Sequence, residues 1–138
     1  MSAFTVPGDP VPWERARTGA GHHITPRRTR EWQAKIKHHA LNAIRPAERR
    51  YSGPVSIRLR FWRETRRACD WDNLAKSVCD ALNGIAYEDD SQIDIALVTR
   101  GLDPQFPRVE VEITRHDAPK NLAAPAKRSG RWLPEIEP

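Results

Sequence analysis

The alternation of side chains between Val55 and Trp62 constrains the fold more than any other feature of this chain of 138 residues. Four apolar residues occupy every second position: Val55, Ile57, Leu59 and Phe61. A period of two is typical of a β-strand with one face buried and the other exposed. Such a strand needs a second layer over its apolar face, so the chain must supply both a sheet and elements that cover it.

Two segments have the apolar spacing of helices. The helical spacing of Trp32, Ile36, Ala40 and then Ala43 or Ile44 predicts a helix from about Arg30 to Ile44, with Thr29 or a neighbour as its cap. A second helix is predicted to begin at Asp70 or Asp72 and to end near Asn83-Gly84. Its apolar side is formed by four residues: Leu74, Val78, Ala81 and Leu82.

Three further short runs have strand character. They are Phe4 to Val6, the run beginning at Ile93 and ending near Arg100, and the alternation from Val109 to Ile113. Residues 13–30 have little periodicity and are interpreted as a loop. The short stretch 101–107 suggests a hairpin-like connection between the last two strands. The order β-α-β-α-β-β predicts an α+β two-layer sandwich, with two helices packed on a mixed sheet of about four strands.

The length suits one domain, expected over residues 1–116, followed by a flexible tail over residues 117–138 that is rich in proline. No apolar run approaches the roughly 18 residues of a membrane span, and no signal-peptide pattern follows the start. Two cysteines do not make a disulfide framework, so a cytoplasmic protein is expected. No glycine-rich phosphate loop is found, which argues against a nucleotide cofactor.

Charge is distributed unevenly along the chain. Residues 1–68 carry 15 basic and 5 acidic side chains, a net charge of +10, whereas residues 69–116 carry 4 and 10, a net charge of −6. This asymmetry suggests one part that binds a polyanion and another that gathers carboxylates. Ordinary solvated faces of a basic protein are the alternative.

The acidic segment contains the residues with the most specific chemistry. Asp70 and Asp72 lie two residues apart where a strand gives way to a helix, and Lys76 follows one helical turn later. Asp90 ends an acidic triplet just before the strand that begins at Ile93. If that strand starts beside the end of the strand closing near Arg63, Asp90 can approach the other two aspartates.

Three converging carboxylates suit Mg²⁺, which prefers oxygen ligands and retains water and phosphate oxygens. Such an ion can activate a water for attack on phosphorus, and Lys76 can stabilise the phosphate or the leaving oxygen. Simpler explanations exist for each residue. Asp70 or Asp72 can be a helix cap, Lys76 can form surface pairs with acidic residues one turn away, and the triplet can be a solvated turn.

In these motifs the chain resembles the RusA family of Holliday-junction resolvases. The resembling stretches are Asp70 to Ile85, Asp89 to Ile93, Val6 to Pro12, the pair Arg15 and Arg17, and Thr25-Pro26, so the likeness covers about residues 3–115. Trp71 departs from the smaller aliphatic residue more usual between the first two acids. Arg100 stands where many members have lysine.

The resemblance implies a homodimeric endonuclease, dependent on Mg²⁺ with Mn²⁺ as a possible substitute, that cuts four-way DNA junctions by paired symmetric nicks. It implies that Asp70, Asp72 and Asp90 hold the metal and that Lys76 is the catalytic lysine. Two other readings remain open. One is a DNA-binding protein without catalysis, and the other is a metal-dependent nuclease that also cuts flaps and single strands.

Six arginines are predicted to contact DNA phosphates: Arg15, Arg17, Arg27, Arg28, Arg66 and Arg67. Arg66 and Arg67 come closest to Asp70 in sequence and are the strongest candidates near the site. Trp13 and Trp32 flank the first four in sequence, and each indole can either stack on an unpaired base or pack against the sheet. For Trp32, which lies on the apolar side of its predicted helix, packing is favoured.

Overall fold

The computed structural model describes residues 1–15, 17–19 and 22–116. These residues form the predicted α+β sandwich, in which two helices cover one face of a mixed four-stranded sheet. The elements are β1 (Ser2–Pro7), β2 (Arg17–Gly19), β3 (His22–Ile24), α1 (Arg27–Ala43), β4 (Val55–Arg63), α2 (Trp71–Ala81), β5 (Ile93–Leu102) and β6 (Arg108–Arg115). The predicted tail, residues 117–138, lies outside the described residues.

The sheet has the strand order β1-β6-β4-β5, and only β4 and β5 run parallel to each other. The prediction of a hairpin-like connection between the last two strands is therefore wrong. Residues 103–107 instead carry the chain past β4, so that β6 pairs with β4 on one side and β1 on the other. The strand β4 therefore has a hydrogen-bonded neighbour on both sides, β5 on one and β6 on the other.

Both helices bury the faces that the periodicity predicted. Trp32, Ile36 and Ala40 of α1 and Leu74 and Val78 of α2 are buried in one core with the apolar side chains of the sheet. Among the residues that the structure describes, this cluster is the hydrophobic core that stabilises the sandwich.

The first helix begins three residues earlier than predicted, at Arg27, with Pro26 as the residue before it. Proline there fits because its fixed φ suits the helix entry and no intrahelical N–H is lost. Thr29, the predicted cap, lies inside the helix and is buried. Its hydroxyl donates a hydrogen bond to the carbonyl of Pro12 at 3.3 Å, which ties the preceding segment to α1.

The segment predicted as a loop contains a small antiparallel hairpin in which β2 pairs with β3. Three-residue strands are too short for a periodicity to be recognised, which explains the miss. No helix in the described part of the chain is long and apolar enough to cross a membrane. Cys69 and Cys79 are both free thiols.

The path from β4 through α2 to β5 determines where the site residues lie. The strand β4 ends at Arg63, α2 returns along the sheet, and β5 starts beside Val55 in register Val55–Ile93. Val55 and Arg63 are the first and last residues of β4, and we name the two ends of the sheet after them: the Val55 end and the Arg63 end. Because a crossover between parallel strands brings the chain back to its starting edge, α2 has its first residue near one end and its last residue near the other.

Candidate functional site

Two carboxylates lie at the start of α2, at the Arg63 end. Asp70 precedes the first helical residue, but its side chain makes no capping hydrogen bond. Asp72 lies in the first turn and its Oδ1 accepts a hydrogen bond from the backbone N–H of Asn73 at 2.9 Å. Both side chains are exposed. Their oxygens therefore remain available to a ligand, so capping does not account for the Asp70 carboxylate.

Asp70 lies on the wall of a cleft of about 610 Å³. The cleft is lined by four arginines together with polar and aromatic neighbours: Arg63, Arg66, Arg67, Arg100, Trp13, Glu14, Asn73, Asp70, Pro12, Ala68 and Cys69. Four guanidinium groups around one concave surface create a positive potential that attracts phosphate groups. The acidic and basic parts of the chain thus meet in one place.

Two of these arginines brace the loop that leads into α2. The Arg100 Nη1 donates a hydrogen bond to the carbonyl of Cys69 at 2.7 Å, and the Arg63 Nη1 donates one to the carbonyl of Arg67. Arg66 and Arg67 are exposed and remain on the cleft wall. Arg66 and Arg67, predicted as DNA contacts, thus lie on the cleft wall, together with Arg63 and Arg100, which were not predicted there. The sequence feature that could have indicated them is their position at or near the end of a strand: Arg63 ends β4, and Arg100 lies two residues before the end of β5.

Lys76 has a defined position between an aromatic ring and a carboxylate. Its Nζ lies 5.1 Å from the centroid of the Trp13 ring and 3.4 Å from Oδ2 of Asp80. Trp13 is half-buried, and its backbone N–H donates to the carbonyl of Asn73 at 2.8 Å. The Trp13 indole therefore lies beside α2 and on the cleft wall. Trp32 is buried in the core, as expected.

Asp90 lies at the Val55 end, where its carboxyl group is hydrogen-bonded to that of Asp80. Partial burial raises the pKa of the Asp90 carboxyl, and the hydrogen bond and the negative charge of Asp80 raise it further. Asp80 is thus a fourth acidic residue close to the predicted set. The sequence feature that could have indicated Asp80 is its i,i+4 spacing with Lys76, but that spacing is equally typical of an ordinary surface ion pair.

The neighbouring Asp89 has a structural role in a short 3₁₀ turn. Its carboxylate accepts a hydrogen bond from the backbone N–H of Ser91 at 3.0 Å, and the Gln92 side chain accepts one from the Asp89 N–H at 2.9 Å. This is a capping box, in which each side chain satisfies a backbone donor of the turn. The bond to Ser91 lowers the pKa of Asp89. For this member of the acidic triplet the turn explanation is correct.

The expected approach of Asp90 to Asp70 and Asp72 does not occur within one chain. Asp72 and Asp80 are separated by eight residues of α2, which is about 12 Å along the helix axis. Among the described residues, no group of three or more His, Cys, Asp and Glu side chains is arranged to hold a metal ion. One chain therefore presents two separate carboxylate pairs, Asp70 with Asp72 and Asp80 with Asp90.

The other predicted DNA contacts lie around the N-terminal part of α1. Arg27 forms an ion pair with Glu31 at 2.7 Å, and Arg28 lies 3.7 Å from Glu14, which lines the cleft. Arg15 is exposed. Arg17 begins β2, and the position of its side chain lies outside what the structure describes. Arg28 thus extends the basic surface beyond the four arginines of the cleft.

Comparison with protein families identifies residues 7–114 as an endodeoxyribonuclease. The matching family is described as "Endodeoxyribonuclease RusA", and the match spans most of the chain. The protein therefore belongs to the RusA family, as its motifs predicted. A search of curated proteins found no significant match.

Proposed function

We propose that this protein is a Mg²⁺-dependent endonuclease that resolves four-way DNA junctions by paired symmetric nicks, in recombination and repair. Membership of an endodeoxyribonuclease family supports the nuclease activity. The observation that carries the proposal is the position of Asp70 on the wall of the arginine-lined cleft. A phosphodiester drawn in by the arginines would lie beside a carboxylate that is free to bind a metal ion.

Asp70, Asp72 and Asp90 are the proposed metal ligands; because Asp90 lies at the opposite end of α2 from the other two, it would share their ion only across the proposed homodimer. The donor set fits Mg²⁺, which takes one or two protein carboxylates and completes its shell with water and phosphate oxygens. Asp70 and Asp72 are exposed neighbours, and the Asp70 carboxylate is not used as a helix cap. When bound, Mg²⁺ would supply an activated water and would neutralise charge on the phosphate; Mn²⁺ is expected to substitute.

Lys76 is the proposed electrostatic partner of the reacting phosphate. The Trp13 ring and the Asp80 carboxylate hold its ammonium group beside the helix face that carries Asp72. A fixed positive charge at this position lowers the energy of the anionic transition state without reorganisation of the side chain. Arg66 and Arg67 bind and orient the flanking backbone phosphates.

The proposed substrate and assembly follow from symmetry and size. A four-way junction has near two-fold symmetry, and a homodimer with a two-fold axis presents two equivalent sites to it. Each chain carries one Asp70, which lies on the wall of the arginine-lined cleft, so paired nicks at two such sites require two chains. A cytoplasmic location is proposed on the basis of the two free cysteines.

The decisive experiment is digestion of a fixed four-way junction, a flap, a linear duplex and a single strand in Mg²⁺, Mn²⁺ and EDTA. We expect paired nicks in the junction, little cutting of the other three DNAs, and none in EDTA. Equal cutting of all four would show a structure-tolerant nuclease instead. Junction binding without cleavage in either metal would show a DNA-binding protein without catalysis.

A matched pair of variants tests the carboxylates. Asp72→Asn should abolish cleavage and leave junction binding intact or stronger, because it removes a metal ligand and a negative charge together. Glu88→Gln removes the same charge from an exposed side chain next to the capped turn and should cut normally. Full activity of Asp72→Asn would refute its role as a ligand.

A further inference from the structure

The loop between β5 and β6, residues 103–107, presents a phenylalanine ring to solvent. Phe106 is 69% exposed, more than any other Phe, Tyr or Trp in the described part of the chain. Leu102, the last residue of β5, is also exposed. A phenylalanine side chain left in water forgoes the stabilisation that its burial would give, so the ring is available to a ligand.

Hydrogen bonds at both ends of this loop hold its backbone in place. The carboxylate of Asp103 accepts a hydrogen bond from the backbone N–H of Phe106 at 3.1 Å. The Arg108 guanidinium donates to that carboxylate at 2.9 Å and to the carbonyl of Phe106 at 2.8 Å. The backbone N–H of Asp103 donates to the carbonyl of Arg63 at 2.8 Å. Because the backbone that carries the ring is already ordered, binding through the ring costs little further conformational entropy.

A groove of about 350 Å³ connects the start of this loop with the arginine-lined cleft. Its walls are formed by Arg63, Thr65, Arg66, Arg100, Gly101 and Leu102. The three arginines of the groove also line the cleft beside Asp70, so the two concave surfaces share one wall. Phe106 follows Leu102 by four residues, and a chain extends by at most about 3.5 Å per residue, so its backbone lies within about 14 Å of the groove wall. That distance is about four base steps of DNA.

We propose that the Phe106 ring stacks on an unstacked base at the branch point of a four-way DNA junction, while the arginines of the groove hold the adjoining phosphates. The proposal rests on the proposed function for the identity of the substrate. Every base has a π-face on which an aromatic side chain can stack. In a linear duplex these faces are covered and exposing one costs unstacking energy, whereas the stack is already interrupted at a branch point. Phe106 is therefore a specificity-determining residue that favours a junction over a linear duplex.

The surroundings of Phe106 favour DNA rather than another protein chain as the occupant. The core of a protein interface normally joins several apolar side chains and is depleted of charge. The surface next to Phe106 instead combines an exposed ring and Leu102 with three guanidinium groups, whose positive potential attracts a phosphate backbone. Phe and Leu side chains are also among those that proteins insert between DNA base steps.

Binding of a fixed four-way junction in EDTA tests the stacking without any cleavage. Phe106→Ala should weaken junction binding by about fivefold to a hundredfold, the effect of losing one base–aromatic stack, and should leave binding of a linear duplex nearly unchanged. The salt dependence should also stay the same, because no phosphate contact is lost. Gln105→Ala, an exposed neighbour in the loop, is the matched control and should bind as the wild type does. Equal junction affinity of Phe106→Ala and the wild type, or an equal loss on both DNAs, would overturn the proposal.

Two further substitutions separate stacking from simple hydrophobic burial. Phe106→Tyr retains an aromatic face and should bind the junction nearly as well as the wild type. Phe106→Leu retains apolar bulk without a ring and should bind nearly as weakly as Phe106→Ala. If another protein chain covers the ring instead, Phe106→Leu keeps its junction affinity and Phe106→Ala lowers the mass found by sedimentation. Either result would contradict stacking on DNA.

A 2-aminopurine base in the junction reports unstacking directly, because its fluorescence rises when it leaves the base stack. With this base at the branch point, the wild type should raise the fluorescence and Phe106→Ala should lose most of the rise; the same base in the middle of an arm is the control position. The same rise with both proteins, or none with either, would refute the role of Phe106. A rise that depends on Phe106 in a protein that does not cut in Mg²⁺ would refute the nuclease function alone. Junction cleavage and binding that are both unaffected by Phe106→Ala would refute the stacking alone.

Discussion

The ammonium group of Lys76 is fixed by two contacts of different origin. Asp80, one helical turn away, is 3.4 Å from it, and the ring of Trp13 is 5.1 Å from it. The first contact follows from i,i+4 spacing and was predictable as a possible pair. The second joins residues that are distant in sequence, and no local pattern encodes it. The side-chain types at the site were therefore predictable, but the contacts that position them were not.

Trp13→Ala is expected to slow cleavage of the junction roughly fivefold, because a cation–π contact of about 1 kcal/mol no longer holds Lys76 in place. Trp13→Phe retains a ring and should lose less. The measurement is the single-turnover cleavage rate at saturating enzyme, which separates catalysis from DNA binding. Unchanged rates in Trp13→Ala would show that the contact does not position the lysine.

Asp103 is expected to make the free energy of unfolding depend on pH in the acid range. The side chain of Arg108 donates to its carboxylate at 2.9 Å and the backbone N–H of Phe106 donates at 3.1 Å, which lowers its pKa from the ordinary value of 3.8. The folded protein therefore holds this proton less tightly than the unfolded chain. The stabilisation is present above pH 3.8 and is lost as the pH falls towards the lower folded value.

Asp103→Asn should remove this part of the pH dependence. Urea unfolding measured at about pH 6 and again at about pH 3 should show a smaller loss of stability in the variant than in the wild type. The variant should also be the less stable protein at the higher pH. Equal losses in the two proteins would show that Asp103 is not ionised more strongly in the folded state.

At the scale of the elements, periodicity predicted which faces of the helices and strands are buried, but not which strands are neighbours in the sheet. The alternation in β4 and the apolar side of α2 identified their buried faces correctly. The choice of neighbours in the sheet was missed, because an apolar strand face is compatible with several partners. The direction of β5 relative to β4 had the largest consequence, since it places Asp90 at the Val55 end of the sheet.

Gly101 of β5 is in register with Trp62 of β4, and the indole lies across it. A Cβ atom at this position would be 2.5 Å from the ring, which is held by a hydrogen bond from its Nε1 to Glu110 at 2.8 Å. Gly101→Ala is therefore expected to reduce the free energy of unfolding by about 1–3 kcal/mol. Urea unfolding followed by tryptophan fluorescence measures it.

Thr114→Ala, an exposed change on β6, serves as the control and should cost less than half as much. Combining Gly101→Ala with Trp62→Leu should cost less than the sum of the two single changes, because the clash disappears. Strict additivity would show that the ring and the added methyl group do not meet.

At the scale of the whole molecule, the basic cleft is assembled from segments far apart in the chain. Trp13, the loop after β4 and the end of β5 each contribute to its wall. The charge asymmetry indicated that a polyanion-binding surface exists, but its location depends on the sheet topology. The family-level function could be predicted from the acidic motif, whereas the geometry of the site required the fold.

The double variant Arg66→Ala/Arg67→Ala should weaken junction binding and reduce its dependence on salt. Each phosphate contact adds about 0.9 to the slope of log affinity against log salt concentration, so the slope should fall by nearly 2. Arg45→Ala removes an exposed charge beyond the far end of α1, next to the Val55 end of the sheet, and should leave the slope unchanged. Binding titrations at four salt concentrations would measure both, and identical slopes for all three proteins would exclude the cleft as the DNA-binding surface.

The position of both carboxylate pairs along a single helix has a consequence for sequence variation. Each residue of an α-helix adds 1.5 Å of length and about 100° of rotation, so Asp72 and Asp80 differ by about 80° around the axis after two full turns. An insertion of one residue between them would turn the two pairs away from each other. The length of α2 between these aspartates should therefore tolerate no insertion or deletion, whereas the loop at residues 103–107, which carries none of the proposed ligands, should tolerate a short insertion at its exposed middle without loss of metal binding.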